Sequence, residues 1–171
     1  MKKKILFRAD GNAEIGMGHF MRLIALADMI KNDFEAIFVT TSPSPFQIKE
    51  INKVCSKLIE LPKATHFDTF LNHLNGDEIV VLDNYYFDIN YQRKVKQQGC
   101  SLVCIDDFAS NSYCSDIVIN HSPLFPEELI DCDNQTKLLT GSDYAILRQS
   151  FLASNRTFNT NELTKVFICF G

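Results

Sequence analysis

The chain has little of what several protein classes require. No apolar run approaches the ~20 residues of a membrane-crossing helix. Ile5-Leu6-Phe7 meets Arg8 and Asp10 at once, too soon for the core of a secretion signal. Six cysteines are scattered without a C-x-x-C pair, so reduced thiols are expected rather than disulfides or zinc. Basic residues cluster only at Lys2-Lys3-Lys4 and the formal net charge is −4, leaving no basic surface for a nucleic-acid backbone. Internal repeats and low-complexity tracts are missing. What remains is ordinary: 171 residues, 46% hydrophobic and 22% charged. That balance excludes a disordered tail, a collagen-like fibre and a disulfide miniprotein. A cytoplasmic, non-membrane protein is expected, either one domain or a compact half of a larger enzyme.

Short β-like runs alternate with helical stretches. Strands are expected at Lys4–Ala9, Glu35–Thr41, Lys57–Leu61, Glu78–Leu82, Ser101–Ile105, Asp116–Ile119 and Lys137–Thr140. Helices are expected at Phe20–Ile30, from Pro43 and Pro45 through Cys55, at Thr65–Leu74 and at Asp88–Gln98, the last stopped by Gly99. Strands rich in Val, Ile and Leu with little alternation belong to a sheet covered on both faces. The fold expected is α/β, a Rossmann-like doubly wound, mostly parallel sheet over residues 1–153. The polar stretch 154–163 reads as a linker, and 164–171, ending in Phe170-Gly171, as the first strand of a further domain cut short.

Open parallel sheets bind ligands beyond the carboxyl ends of their strands. The residues there are Asp10–His19, Asp83-Asn84-Tyr85, Asp106-Asp107 and Asn120-His121-Ser122. Helix capping and turn formation is the competing reading for the Asp and Asn residues. In the first loop Gly16 and Gly18 flank Met17 and let the backbone approach a ligand at a helix start, a natural place for phosphate. The G-x-G-x-x-G fingerprint fails, because Met21 takes the third small position and Thr40-Thr41 stands where a ribose-binding acid belongs. A G-x-x-x-x-G-K-[ST] loop is missing too.

His19 follows Gly18 at the start of an apolar helix, whose positive end disfavours imidazolium; a neutral ring there suits a general base. Arg22 lies one turn on and needs an anionic partner such as Asp10, Glu14 or a ligand. Asp106 and Asp107 suit a sugar hydroxyl or a cap better than a metal, having no histidine near them in sequence. Tyr85 reads equally as a sugar contact or as packing beside Tyr86 and Phe87. His66 and His73 read as surface residues, and His121 as a lesser candidate for the cleft.

Arg8-Ala9-Asp10 and Ile15-Gly16-Met17-Gly18-His19-Phe20-Met21-Arg22 resemble the N-terminal motif of the PseG family, the UDP-2,4-diacetamido-2,4,6-trideoxy-β-L-altropyranose hydrolases of pseudaminic acid biosynthesis. The resemblance continues in order through Leu82-Asp83-Asn84-Tyr85, Ile105-Asp106-Asp107, Cys114–Asn120, Gly141–Arg148 and Phe167–Gly171. It implies the N-terminal half of a MurG-like GT-B fold, with a UDP-sugar held between two Rossmann-like domains and UDP mostly on the second. It further implies His19 as the catalytic histidine and Tyr85 as an active-site tyrosine. Asp10, Gly16, Met17, Gly18, Arg22, Asp83, Asn84, Asp106, Asp107 and Asn120 would then bind substrate. Asn84 stands where some members carry histidine.

The expected reaction is inverting hydrolysis at the anomeric carbon, by a monomer needing neither cofactor nor metal, since amides at a helix start can stabilise departing UDP. A GT-B glycosyltransferase using the same histidine on a sugar acceptor, and a non-catalytic nucleotide-sugar-binding domain, are the alternatives.

Overall fold

The computed structural model describes residues 2–108, 112–122 and 126–153. The expected linker at 154–163 and strand at 164–171 lie outside the described residues.

Strands β1 (Lys4–Arg8), β2 (Glu35–Thr41), β3 (Lys57–Leu61), β4 (Ile79–Leu82), β5 (Ser101–Ile105), β6 (Ile117–Asn120) and β7 (Lys137–Thr140) form one sheet. Helices α1 (Gly18–Ile30), α2 (Pro45–Val54), α3 (His66–Leu71), α4 (Ile89–Gln97) and the short α5 (Gln149–Leu152) complete the element order. The seven strands run in the order β3-β2-β1-β4-β5-β6-β7, and every pairing is parallel. This is the Rossmann-like α/β arrangement that the alternating pattern calls for.

Local chemistry sets the helix starts. At α2, Ser44 accepts from the Gln47 amide while the Gln47 side chain takes the Ser44 N–H, and Pro45 occupies the first turn, where its missing donor costs nothing. At α4 the Asp88 carboxylate accepts from the Tyr91 amide. The start of α1 has no side-chain cap. It begins at Gly18, two residues before the apolar pattern does, so His19 sits inside its first turn. The third helix is shorter than its sequence pattern, with turn hydrogen bonds from His73 and Leu74 to Phe70 and Leu71 winding it down.

Alternate strand residues feed two cores. Ile5, Phe7, Phe38, Val81 and Ile105 meet Phe20, Leu23, Ala27 and Ile51 of α1 and α2 on one face. Leu6, Val39, Val80, Leu82 and Leu102 meet Phe70, Tyr91 and Val95 of α3 and α4 on the other. Burial of a Phe or Leu of this kind contributes about 1.5–3 kcal/mol, and Phe7, Phe20 and Phe38 are fully buried. Both faces being covered explains why the strands show so little polar alternation. Among the described residues, no helix is long and apolar enough to cross a membrane.

Candidate active site

Strand order reverses between β1 and β4: from β1 the sheet grows outward through β2 and β3, and from β4 through β5 to β7. The loops leaving these two strands diverge to opposite sides and open a crevice at their carboxyl ends. The chain leaving β1 delivers His19 and Arg22 on α1, and the chain leaving β4 delivers Asp83.

The Asp83 side chain is fully buried. Its Oδ1 lies 2.7 Å from His19 Nδ1, and its two oxygens accept from Arg22 Nε at 2.7 Å and Nη2 at 2.6 Å. Arg22 Nη1 donates to Asp107, which follows β5. A carboxylate facing two guanidinium donors is ionised and can only accept, so Nδ1 of His19 carries the proton. The approach of Arg22 Nη2 to the same Nδ1, at 3.4 Å, then sets two donors side by side and is not a hydrogen bond. Burial works against the Arg22 guanidinium, but Asp83 and Asp107 outweigh it and hold the group charged, well above its ordinary range.

A cavity of about 350 Å³ opens beside this cluster, lined by His19, Arg22, Tyr85, Asp107, His121 and Arg148 together with Gly18 and apolar neighbours. With Nδ1 turned to Asp83, the opposite nitrogen, Nε2, is the ring atom left for the cavity that His19 lines. The Tyr85 ring stands edge-on to the imidazole at 4.6 Å between centroids. Burial and the nearby Asp107 carboxylate push the Tyr85 phenol up, so it is a neutral hydroxyl. His121 Nε2 lies 3.7 Å from Asp107. Carboxylates at the strand ends are thus joined through Arg22, and a histidine stands beside each.

The loop before α1 is shaped by glycines at specific points. Gly16 has φ of +77°, a left-handed conformation that a side chain strains. Gly11 lies so close to α1 that a Cβ would come 2.9 Å from Phe20 Cβ. At Gly18 a Cβ would meet nothing within 4 Å, which leaves the helix start open to the cavity. Asn12 Oδ1 accepts from the Glu14 and Ile15 amides and folds the loop tip.

Several sequence candidates frame the site without lining this cavity. Asp10 is the clearest case: its oxygens accept from Arg8 at 2.7 and 2.8 Å, from the Thr41 amide at 2.7 Å and from the Tyr86 hydroxyl. Burial would raise the Asp10 carboxyl, but Arg8, Tyr86 and Thr41 together hold it well below the usual range. Gly16 and Met17 shape the loop, Met17 being packed against the α1 face of the core. Asn84 accepts from the Tyr85 amide, Asp106 from Phe108 and Asn120 from Ser122, local turn bonds of the kind weighed against a ligand role for these residues.

Two expectations are corrected. Arg22 pairs with Asp83 and Asp107 rather than with Asp10 or Glu14, because Asp10 is already committed to Arg8 and the sheet order brings the ends of β4 and β5 beneath α1. His66 is not a free surface residue: its Nδ1 lies 2.9 Å from Arg8 Nη2 and its ring packs 5.8 Å from that of Tyr86. Arginine has only donors, so Nδ1 accepts. The signal available was Arg8 itself, an arginine inside an apolar strand, which must find partners once buried. Arg148 also went unassigned in the sequence, and α5 and the residues before it bring it to the cavity. Among the described residues, no group of three or more His, Cys, Asp or Glu is placed to hold a metal ion.

Comparison with known proteins adds an independent observation. A protein of Methanocaldococcus jannaschii, described as uncharacterized, is 29% identical over 179 aligned positions, covering 98% of this chain and 36% of that relative. The UDP-2,4-diacetamido-2,4,6-trideoxy-β-L-altropyranose hydrolase of Campylobacter jejuni is 23% identical over 175 positions, covering 98% of this chain and 60% of that enzyme. The chain has a remote relative that hydrolyses a UDP-sugar. It spans less than two thirds of the length of either relative. No family model matches.

Proposed function

We propose that this chain supplies the sugar-side half of a UDP-sugar hydrolase, with a diacetamido-trideoxy hexose as the sugar and nonulosonic acid synthesis as the setting. The observation that carries the reading is the His19–Asp83 contact at 2.7 Å beneath a cavity at the sheet's switch point. The distant likeness to a hydrolase named for such a substrate supports it.

His19 Nε2 takes a proton from water as the water oxygen bonds to the anomeric carbon. The bond from that carbon to the phosphate oxygen breaks, and its electron pair leaves with UDP on the opposite face. Free sugar of inverted configuration and UDP are the products, and Asp83 steadies the imidazolium that forms. The Tyr85 hydroxyl and Asp107 position the sugar, and Arg22 fixes Asp83 and Asp107 in place.

Hydrolysis in heavy-oxygen water by the protein carrying this chain tests the reading. Label in the sugar and none in UDP is the result expected. Label in UDP means attack at phosphorus and overturns it, as does turnover that requires a sugar acceptor.

A further inference from the structure

We propose that Arg148 is the anion-binding residue of the cavity and takes the phosphate oxygens of the departing nucleoside diphosphate. That the anion is a diphosphate rests on the hydrolase reading above.

Charge accounting around the cavity leads to this residue. Arg22, the more deeply placed cation, is consumed by Asp83 on two donors and by Asp107 on a third. Two carboxylates against one guanidinium leave the site negative before any ligand arrives, a poor place for a polyanion. Arg148 lines the same cavity and, among the described residues, has no carboxylate within ion-pair distance. The groove that continues past Arg148 offers no neutralising partner either, since its Asp28 and Glu50 are taken by Lys31 and Lys53.

The side chain is held rather than loose. Its guanidinium carbon lies 4.9 Å from the centroid of the Phe151 ring, a contact that anchors the group while, among the described residues, leaving its N–H donors unspent. Ile146, two residues before it, packs against the α1 face of the core and ties the segment to the helix that bears His19. A planar fork of donors matches two phosphate oxygens in a way that an ammonium cannot. Of the two guanidinium groups lining the cavity, Arg22 is paired with carboxylates and Arg148, among the described residues, is not, so a diphosphate meets an unspent cation there.

Calorimetric titration of the 171-residue chain with inorganic pyrophosphate and with UDP tests this. Arg148→Gln is expected to weaken both by about 10- to 100-fold, with Tm unchanged because the side chain is exposed and, among the described residues, bears no ion pair. Arg148→Lys keeps the charge without the fork and falls between. Lys137→Gln, an exposed lysine on β7, controls for general charge and leaves both affinities as they were. Unchanged affinity in Arg148→Gln, an equal loss in Lys137→Gln, or no binding of either probe by the unsubstituted chain overturns the proposal. Label appearing in UDP in the heavy-oxygen experiment sinks the hydrolase reading instead, so the two failures are told apart.

Discussion

Asp83 grips His19 and Arg22 with the same carboxylate, its Oδ1 lying 2.7 Å from His19 Nδ1 and 2.6 Å from Arg22 Nη2. One buried acid therefore sets the tautomer and orientation of the imidazole and anchors the cation that reaches Asp107. The predictions below follow from that sharing.

Asp83→Asn preserves the shape of the side chain but offers His19 Nδ1 an uncharged partner that can present a donor, which favours the wrong tautomer. Hydrolysis should lose about 10²- to 10⁴-fold in kcat, with KM changing much less. Steady-state kinetics check this, and equal losses in kcat and in substrate affinity would point to a binding role instead.

Arg22→Met removes the cation between two carboxylates and leaves Asp83 buried beside His19 alone. A loss of about 3–5 kcal/mol of stability is expected in urea unfolding. The double variant Arg22→Met with Asp83→Asn should recover part of it, because the uncompensated charge is gone. Additive losses would contradict the coupling.

How much of this could be read from sequence depended on how local each feature is. The strands, the apolar α1 and the strand-end position of the site were legible, because they rest on patterns within a dozen residues. Asp83 and Asp107 were legible as site candidates for the same reason. Their pairing with Arg22 was not: these partners lie 61 and 85 residues away in sequence. They meet α1 only because β4 and β5 follow β1 in the sheet. The Asp10–Arg8 pairing went unread although the two residues stand only two positions apart at the end of β1. The Arg8–His66 contact required the docking of α3, which no local pattern encodes.

The glycines separate fold from site. Gly16→Ala forces a side chain into left-handed backbone and should cost about 1–2 kcal/mol. Gly18→Ala meets open space, so Tm should hold while the added methyl group at the cavity mouth weakens UDP binding. Thermal melts and UDP titration of both variants check the contrast. A large drop in Tm for Gly18→Ala would contradict it.

Acid sensitivity should have two sources. Burial first, and then the Arg8 charge, hold the His66 imidazole below its usual value of 6.5. The unfolded chain therefore binds that proton first, so the contribution of His66 to stability is complete above about pH 6.5 and is lost as pH falls below it. Asp10 is likewise depressed, and its contribution is lost below about pH 4. Urea unfolding at pH 7.5 and 5.5 should show a smaller decline for His66→Gln, whose amide oxygen can still accept from Arg8, than for the unsubstituted chain. Equal declines would remove His66 from the account.

The most direct measurement is the hydrolysis rate of the UDP-linked diacetamido-trideoxy sugar by the protein with His19→Asn, alongside its Tm. The account predicts a fall of at least about 100-fold in kcat with the fold retained. A rate near that of the unsubstituted protein would show that another group activates the water.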